Sequence, residues 1–172
     1  TKNKLFSYEG ETKGLFFGQH LFFRNSKEKS VVITEGELDA ASVCEALGDF
    51  PAVSLPSGAA AAQKAMKNNY EWLQQFEKII LFFDNDEAGR KATKDAADVL
   101  PPGKVYIASL DAYKDASDAL QANDYKAVEN AYWGAKAYRP DGIVEGKALL
   151  ELVTTPSTPH DHEYPFFGLN NK

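Results

Sequence analysis

The chain has 172 residues, of which 44% are hydrophobic, and this is enough for one well-packed globular domain with appendages. Its formal net charge of −6 is unusual for a nucleic-acid-binding surface, because phosphate neutralisation supplies much of the affinity for polynucleotides. The single cysteine, Cys44, excludes an internal disulfide and a cysteine-rich zinc site, and the lack of a long apolar run or a signal-peptide pattern favours a cytosolic protein without a membrane span.

Strand and helix patterns alternate along most of the chain. Residues 1–30 are a mixed stretch with two aromatic runs, which we interpret as a short hairpin or an end-piece of a preceding subdomain. The predicted elements that follow are strands at 31–33, 52–55, 78–83 and 105–108 and helices at 38–47, 59–70, 86–100, 116–121 and 124–133. This alternation predicts an α/β domain over 31–138, with a mainly parallel sheet flanked by helices.

The pattern loosens after this domain. A Pro-Asp-Gly turn at 140–142 precedes a short helix predicted over 144–153 and a linker rich in Pro and Thr at 154–159. We interpret 139–172 as a linker helix followed by the first residues of another domain. The chain begins with Thr1 and ends in a Gly/Asn stretch, so we expect a fragment of a longer protein.

Acidic residues follow three of the predicted strands. In open parallel sheets, sites form outside the carboxyl ends of the strands, so acids at these places can converge. The three acidic segments are 34–39 (Thr-Glu-Gly-Glu-Leu-Asp), 84–86 (Asp-Asn-Asp) and 114–118 (Lys-Asp-Ala-Ser-Asp). Carboxylates gathered without His or Cys suit Mg²⁺ or Mn²⁺, the ions that phosphoryl and nucleotidyl transfer use.

Each acid also has a structural interpretation. Asp39 and Asp86 could be helix N-caps, and Glu37 and Asp118 could be solvated surface acids. A calcium loop starting at Asp84 is excluded, because its fifth position is Ala and its twelfth is Asp. A P-loop at 142–147 is excluded by its short spacing and by the lack of a following Ser or Thr. The acidic net charge leaves two possibilities: bound metal offsets it, or the chain does not bind polynucleotides strongly by itself.

The three acidic segments, with the second extended to Asp-Asn-Asp-Glu-Ala-Gly-Arg at 84–90, resemble the TOPRIM signature. TOPRIM domains occur in bacterial and phage primases, type IA and type II topoisomerases and some nucleases. The likeness is greater to the primase half of T-odd phage primase-helicases and of their mitochondrial relative, Twinkle. It extends from about residue 16 to the end and includes Val-Ser-Leu at 53–55, Pro-Asp-Gly at 140–142 and Gly-Leu-Asn at 168–170.

The resemblance implies roles for individual residues. Glu35 corresponds to the catalytic glutamate, as a general base or as an aid to metal placement. The implied ligands of Mg²⁺ or Mn²⁺ are Glu35, Asp84, Asp86 and Asp115. Asp39 and Glu37 are implied to support the site without contacting the reacting groups. The basic residues implied to contact nucleotide or phosphate are Arg90, Lys91, Lys2 and Lys4, although a solvated helix face explains Arg90 and Lys91 equally well.

The implied activity is RNA-primer synthesis on single-stranded DNA from ribonucleoside triphosphates, in the cytoplasm of a phage-infected cell or in an organelle. The implied parent carries a zinc-binding domain and a helicase domain that assembles a hexameric ring. The resemblance implies that these residues lack the zinc-binding domain and contain only the start of the helicase domain, within 139–172. We therefore expect the cationic DNA-holding surfaces to lie elsewhere. The alternatives are a TOPRIM nuclease or topoisomerase module and a catalytically silent, Twinkle-like scaffold. We expect Trp72 and Trp133 to anchor the core or an interface.

Overall fold

The computed structural model describes residues 14–22, 29–140, 150 and 154. The chain divides into two compact units, Thr1–Arg139 and Pro140–Lys172. In the second unit Leu150 and Thr154 are both helical, and the Thr154 hydroxyl donates to the Leu150 carbonyl at 2.7 Å. Most of the predicted 144–153 helix and the linker after it lie outside the described residues. The division into 1–30, 31–138 and 139–172 stays a prediction.

A five-stranded sheet forms the centre of the first unit. Its strands are β1 (Ser30–Thr34), β2 (Ala52–Ser54), β3 (Lys78–Phe82), β4 (Val105–Ile107) and β5 (Lys136–Ala137). The spatial order is β2-β1-β3-β4-β5, and the first four strands are parallel. The predicted α/β class with a mainly parallel sheet is therefore confirmed. The sequence did not predict β5, a two-residue strand that pairs antiparallel with β4.

Helices cover both faces of the sheet. They are α1 (Glu37–Ala46), α2 (Ala62–Asn68), α3 (Tyr70–Leu73), α4 (Glu87–Ala97), α5 (Ala116–Gln121) and α6 (Tyr125–Trp133). Ile79 and Leu81 of β3 pack in the hydrophobic cluster with α2, α3 and α4, while Ile80 and Phe82 pack in the cluster with α1, α5 and α6. Burial on both faces explains why β3 is a continuous apolar run in the sequence.

The predicted helix at 59–70 is wrong in one respect, because the structure divides it. A 3₁₀ turn at Ala59–Ala61 precedes α2, and Asn69 separates α2 from α3. Asn69 is buried and leaves helical geometry at φ −109° and ψ 16°. Its side-chain amide donates to the Ala65 and Gly14 carbonyls, each at 2.8 Å. These bonds compete with continuation of the helix, and the bond to Gly14 is a tertiary contact that sequence periodicity does not reveal.

The described part of the N-terminal stretch is not a hairpin. Residues 14–22 contain a 3₁₀ turn at Gln19–Leu21, and Phe17 forms an isolated antiparallel bridge with Ser54 at the edge of the sheet. Phe16 is buried and packs against Trp72, with ring centroids 5.9 Å apart. The stretch therefore covers one side of the core. Residues 1–13 and 23–28 lie outside the described set.

The two tryptophans occupy different environments. Trp72 is half-buried between Phe16 and Phe76, and its indole N–H donates to the Phe22 carbonyl at 3.1 Å. Trp133, at the end of α6, is 77% exposed and forms a T-shaped ring pair with Tyr132, with centroids 4.9 Å apart. The prediction of a core or interface anchor is thus confirmed for Trp72, which lies in the core. Trp133 is not a core residue, and its role as an interface anchor stays a prediction. No helix in the described part of the chain is long and apolar enough to span a membrane.

Candidate active site

The acidic segments follow neighbouring strands at one edge of the sheet. Strands β1 and β3 pair in parallel, with Thr34 opposite Phe82 at their carboxyl ends. Glu35 comes directly after β1, Asp84 comes two residues after β3, and the segment containing Asp115 follows β4. This register brings the segments to the same edge, as strand topology predicts.

Asp86 and Asp115 are both helix N-caps. The Oδ1 atom of Asp86 accepts from the Gly89 N–H at 2.8 Å, and the Oδ1 atom of Asp115 accepts from the Asp118 N–H at 2.8 Å. Capping uses one oxygen of each carboxylate, and the Oδ2 atoms point to a common neighbour, Lys114. The capping interpretation and the metal-ligand interpretation of these acids are therefore compatible.

Lys114 lies among three carboxylates. Its ammonium group donates to Asp84 Oδ2 and lies 3.8 Å from Asp86 Oδ2 and 4.0 Å from Asp115 Oδ2. The hydrogen bond with Asp84 is the main cause that raises the pKa of Lys114. Within the described residues, no three His, Cys, Asp or Glu side chains are arranged to hold a metal ion. The sequence placed Lys114 in the third acidic segment but assigned it no role.

Glu35 is half-buried next to the acids that follow β3. Its Oε1 atom accepts from the Ala59 N–H at 3.3 Å, while its Oε2 atom is buried without a hydrogen-bond partner among the described residues. Burial raises the pKa of Glu35, the charge of Asp84 raises it further, and the Ala59 bond opposes both. The site thus holds a carboxylate with one unsatisfied oxygen, which favours a proton or a cation there.

Asp39 is the third residue of α1 and is not its N-cap, so that structural interpretation is wrong. Its Oδ1 atom accepts from the Ser117 N–H at 3.0 Å, which ties α1 to α5. Burial raises the pKa of Asp39 to about 6, and the charges of Asp115 and Asp84 also raise it. Asp39 thus bonds to α5, the helix that Asp115 caps, and its supporting role in the site stays a prediction.

Backbone contacts that motif analysis missed join the second and third acidic segments. The Asn85 N–H donates to the Lys114 carbonyl at 2.8 Å, and its side-chain amide donates to the Leu110 carbonyl at 2.9 Å. Asn85 therefore holds the loop after β4 against the end of β3. An amide residue between two acids in a loop was the available signal for such a bridge.

The other predicted residues do not converge on Lys114. Glu37 is exposed in the first turn of α1, and Lys91 is exposed on α4. The Arg90 guanidinium donates to the carbonyl and side-chain oxygens of Asn85 at 3.4 and 3.5 Å. Lys2 and Lys4 lie outside the described residues. The nucleotide- or phosphate-binding role of these four basic residues stays a prediction.

Comparison with known proteins places this chain in a family. The Toprim-like family matches residues 32–120. A DNA helicase/primase of Enterobacteria phage T3 is 44% identical over 178 aligned residues that cover 99% of this chain and 31% of the phage protein. The chain therefore spans about a third of the length of that relative.

Solved structures of primase chains are also similar to this chain. The primase fragment of the bacteriophage T7 primase-helicase is 45% identical, with a TM-score of 0.63, over 69% of this chain and 48% of the fragment. A chain from a bacteriophage T7 assembly, described as lagging-strand DNA polymerase interacting with primase domains of two gp4 subunits bound to an RNA/DNA hybrid and dTTP, is 42% identical. Its TM-score is 0.68, over 76% of this chain and 65% of the other. A Pseudomonas aeruginosa DNA primase domain shares the fold. It is 23% identical, with a TM-score of 0.57, over 74% of this chain and 40% of that domain.

The family model matches more than half of the residues, so this chain belongs to the Toprim-like family.

Proposed function

We propose that this chain is the metal-dependent catalytic part of a DNA primase, within a longer phage primase-helicase. The observation that carries the proposal is the gathering of Asp84, Asp86 and Asp115 about one point beside Glu35. The chain is also 42–45% identical to the T3 helicase/primase and the two T7 chains. The reaction would join ribonucleoside triphosphates on a single-stranded DNA template.

The carboxylate side chains suit Mg²⁺ or Mn²⁺ by their chemistry, although no three of them in the described region are already arranged to hold an ion. Carboxylate oxygens are the ligands these hard cations prefer. The buried Oε2 atom of Glu35 has no hydrogen-bond partner in the described region, and each capping aspartate leaves one oxygen uncommitted to its cap. We assign Glu35, Asp84, Asp86 and Asp115 as the residues that would hold the ion. When bound, it would offset the negative charge of the triphosphate and of the displaced pyrophosphate.

Glu35 would also act on the attacking hydroxyl. In primer synthesis the 3′-oxygen of one nucleotide forms a bond to the α-phosphorus of the next, and the bond from that phosphorus to pyrophosphate breaks. The hydroxyl proton must leave during attack, and a carboxylate whose pKa is raised towards neutrality is a better acceptor than an ordinary one. In the chain without metal, burial and the Asp84 charge raise the pKa of Glu35 in this direction.

Other partners follow from the relatives. The T7 assembly contains primase domains with an RNA/DNA hybrid and dTTP, so we propose that template and nucleotide approach the same edge of this sheet. Arg90 and Lys91 on α4 are candidates for phosphate contacts. We infer that the parent protein carries a zinc-binding and a helicase domain, assembles a hexameric ring and acts in the cytoplasm of a phage-infected bacterium. The T3 and T7 relatives favour this over an organelle.

The proposal is tested by Asp86→Asn in the full-length parent. Asparagine retains the Oδ1 acceptor for the Gly89 N–H, so the fold should survive while the negative charge is lost. We expect dinucleotide synthesis with Mg²⁺ to fall by about 100-fold or more, since a metal-binding charge is removed. Glu35→Gln should have an effect of similar size. Retained synthesis in both variants would contradict the proposal, and metal-dependent nicking of plasmid DNA by the parent would favour a nuclease instead.

A further inference from the structure

Lys114 occupies the point at which three acidic side chains of the candidate active site meet. Its ammonium group contacts Asp84 directly and lies within 4.0 Å of Asp86 and Asp115. Asp84 and Asp115 are largely shielded from solvent, with side chains 15% and 20% exposed. Carboxylates this close and this shielded repel one another unless a cation lies between them. Lys114 supplies that cation in this structure.

We propose that Lys114 is an internal counter-ion that holds the three aspartates together without metal and is displaced when a divalent cation binds. This inference rests on the proposed metal-dependent function. The ammonium group faces Oδ2 of each aspartate, and in Asp86 and Asp115 this is the oxygen that helix capping does not use. A metal ion bound to them would occupy the place of the ammonium group. The two cations therefore compete.

The geometry allows the exchange. The Lys114 side chain is 52% exposed, and lysine has a flexible four-carbon stem. Its backbone is held in place, because its carbonyl accepts from the Asn85 N–H at 2.8 Å and the next residue, Asp115, caps α5. The ammonium group can therefore turn towards solvent without moving the loop. The capping bonds of Asp86 and Asp115 to helix N-termini keep these two aspartates at the site when the ammonium group leaves.

Competition has a measurable consequence. If the ammonium must leave before metal binds, the observed metal affinity is lowered by the fraction of molecules in which the site is already free. Lys114→Gln removes both the competing group and its positive charge, so it should strengthen metal binding. For an ion pair of partial exposure, we expect an increase in affinity of about 3- to 10-fold.

The test is titration calorimetry of MnCl₂ into the 172-residue chain. The variants are Lys114→Gln, the charge-preserving Lys114→Arg, and Lys126→Gln, which removes an equal charge from an exposed position on α6. We expect Lys114→Gln to lower the dissociation constant about 3- to 10-fold, with the other two within twofold of the wild type. In EDTA, Lys114→Gln should melt several degrees lower than Lys126→Gln, and Mn²⁺ should restore it.

Wild-type affinity or weaker binding in Lys114→Gln would overturn the inference, because it would indicate a lysine that serves substrate or structure and does not compete with metal. If the wild type binds Mn²⁺ and Lys114→Gln is unchanged, the metal site stands and only the counter-ion role fails. If neither the wild type nor Lys114→Gln binds Mn²⁺, both the metal site and the counter-ion role fail.

A second measurement needs no variant. Mg²⁺ should increase acetylation of Lys114 by an activated ester several-fold but leave acetylation of Lys126 unchanged. Equal reactivity with and without Mg²⁺ would also overturn the inference.

Discussion

Gly89, in the first turn of α4, lies directly against the backbone of Asp84. A Cβ atom at position 89 would lie 2.1 Å from the Asp84 carbonyl oxygen and 2.9 Å from its carbonyl carbon. Those distances are far below van der Waals contact. Because Asp84 belongs to the candidate metal site, the absence of a side chain at 89 lets α4 begin immediately beside it.

The first prediction concerns Gly89→Ala. In an exposed helix this change is normally stabilising by about 1 kcal/mol. Here we expect it to destabilise the chain by about 1–3 kcal/mol, the usual cost of overpacking, and to weaken Mn²⁺ binding as the Asp84 backbone shifts. Urea denaturation and calorimetry measure the two effects. Ala88→Gly, at the exposed neighbouring position, is the control and should lose about 1 kcal/mol without affecting Mn²⁺. Equal or greater stability in Gly89→Ala would contradict the observed close approach.

The second prediction concerns the pH dependence of stability through Asp39. Burial raises its pKa to about 6 from the ordinary 3.8, so the folded chain binds more protons than the unfolded chain between these values. The contribution of Asp39 to stability is therefore greatest at low pH and is lost as pH rises through 6. Asp39→Asn keeps an acceptor for the Ser117 N–H and removes the buried charge. In EDTA at pH 7.5 we expect a gain of about 1–2 kcal/mol, allowing for partial exposure, and little gain at pH 4.

Thermal melts between pH 4 and 8 check this expectation. Glu37→Gln, which removes an exposed charge from the same turn of α1, is the matched control and should show no comparable trend. A difference between Asp39→Asn and the wild type that does not change with pH would contradict the assignment.

The third prediction separates the two roles of Asp115. Asp115→Asn keeps the oxygen that caps α5 at the Asp118 N–H, whereas Asp115→Ala removes it. We expect Asp115→Ala to lose about 1 kcal/mol of stability and Asp115→Asn a few tenths at most. Both should weaken Mn²⁺ binding, by about 10-fold or more, the size of effect typical of disturbed metal sites. Undiminished Mn²⁺ affinity in both variants would limit Asp115 to helix capping.

The fourth prediction tests the contrast between the tryptophans. Trp133 is 77% exposed, so Trp133→Ser should change the free energy of unfolding by no more than about 0.5 kcal/mol. Trp72 packs on Phe16 and Phe76 and donates to the Phe22 carbonyl, so Trp72→Ala should cost about 2–4 kcal/mol. Denaturation monitored by circular dichroism compares them. A large loss for Trp133→Ser would indicate that α6 buries this side chain in solution.

Sequence periodicity was sufficient for most of the fold because the strong patterns are local. Strands β1 and β3 are short apolar runs, and the helix that begins after Asp86 has an apolar face of its own. Sequence periodicity failed to predict the structure where contacts with distant residues determine the local conformation. Asn69 ends α2 partly through a bond to Gly14, and β5 is two exposed residues that are ordered by pairing with β4. Neither carries a local signal.

For the site, the sequence by itself determined the chemical type of the residues and the edge on which they lie. Acids directly after parallel strands must share the carboxyl edge, so Glu35 and Asp84 were placed from order alone. Only the tertiary structure decided which hydrogen-bond and ion-pair partners the carboxylate oxygens have. It gives one oxygen of Asp86 and of Asp115 to helix capping, leaves one oxygen of Glu35 buried without a partner in the described region, and puts Lys114 among the aspartates. Such contacts depend on distances of a few ångströms between segments far apart in the chain. The spacing of residues along the sequence does not reveal these distances.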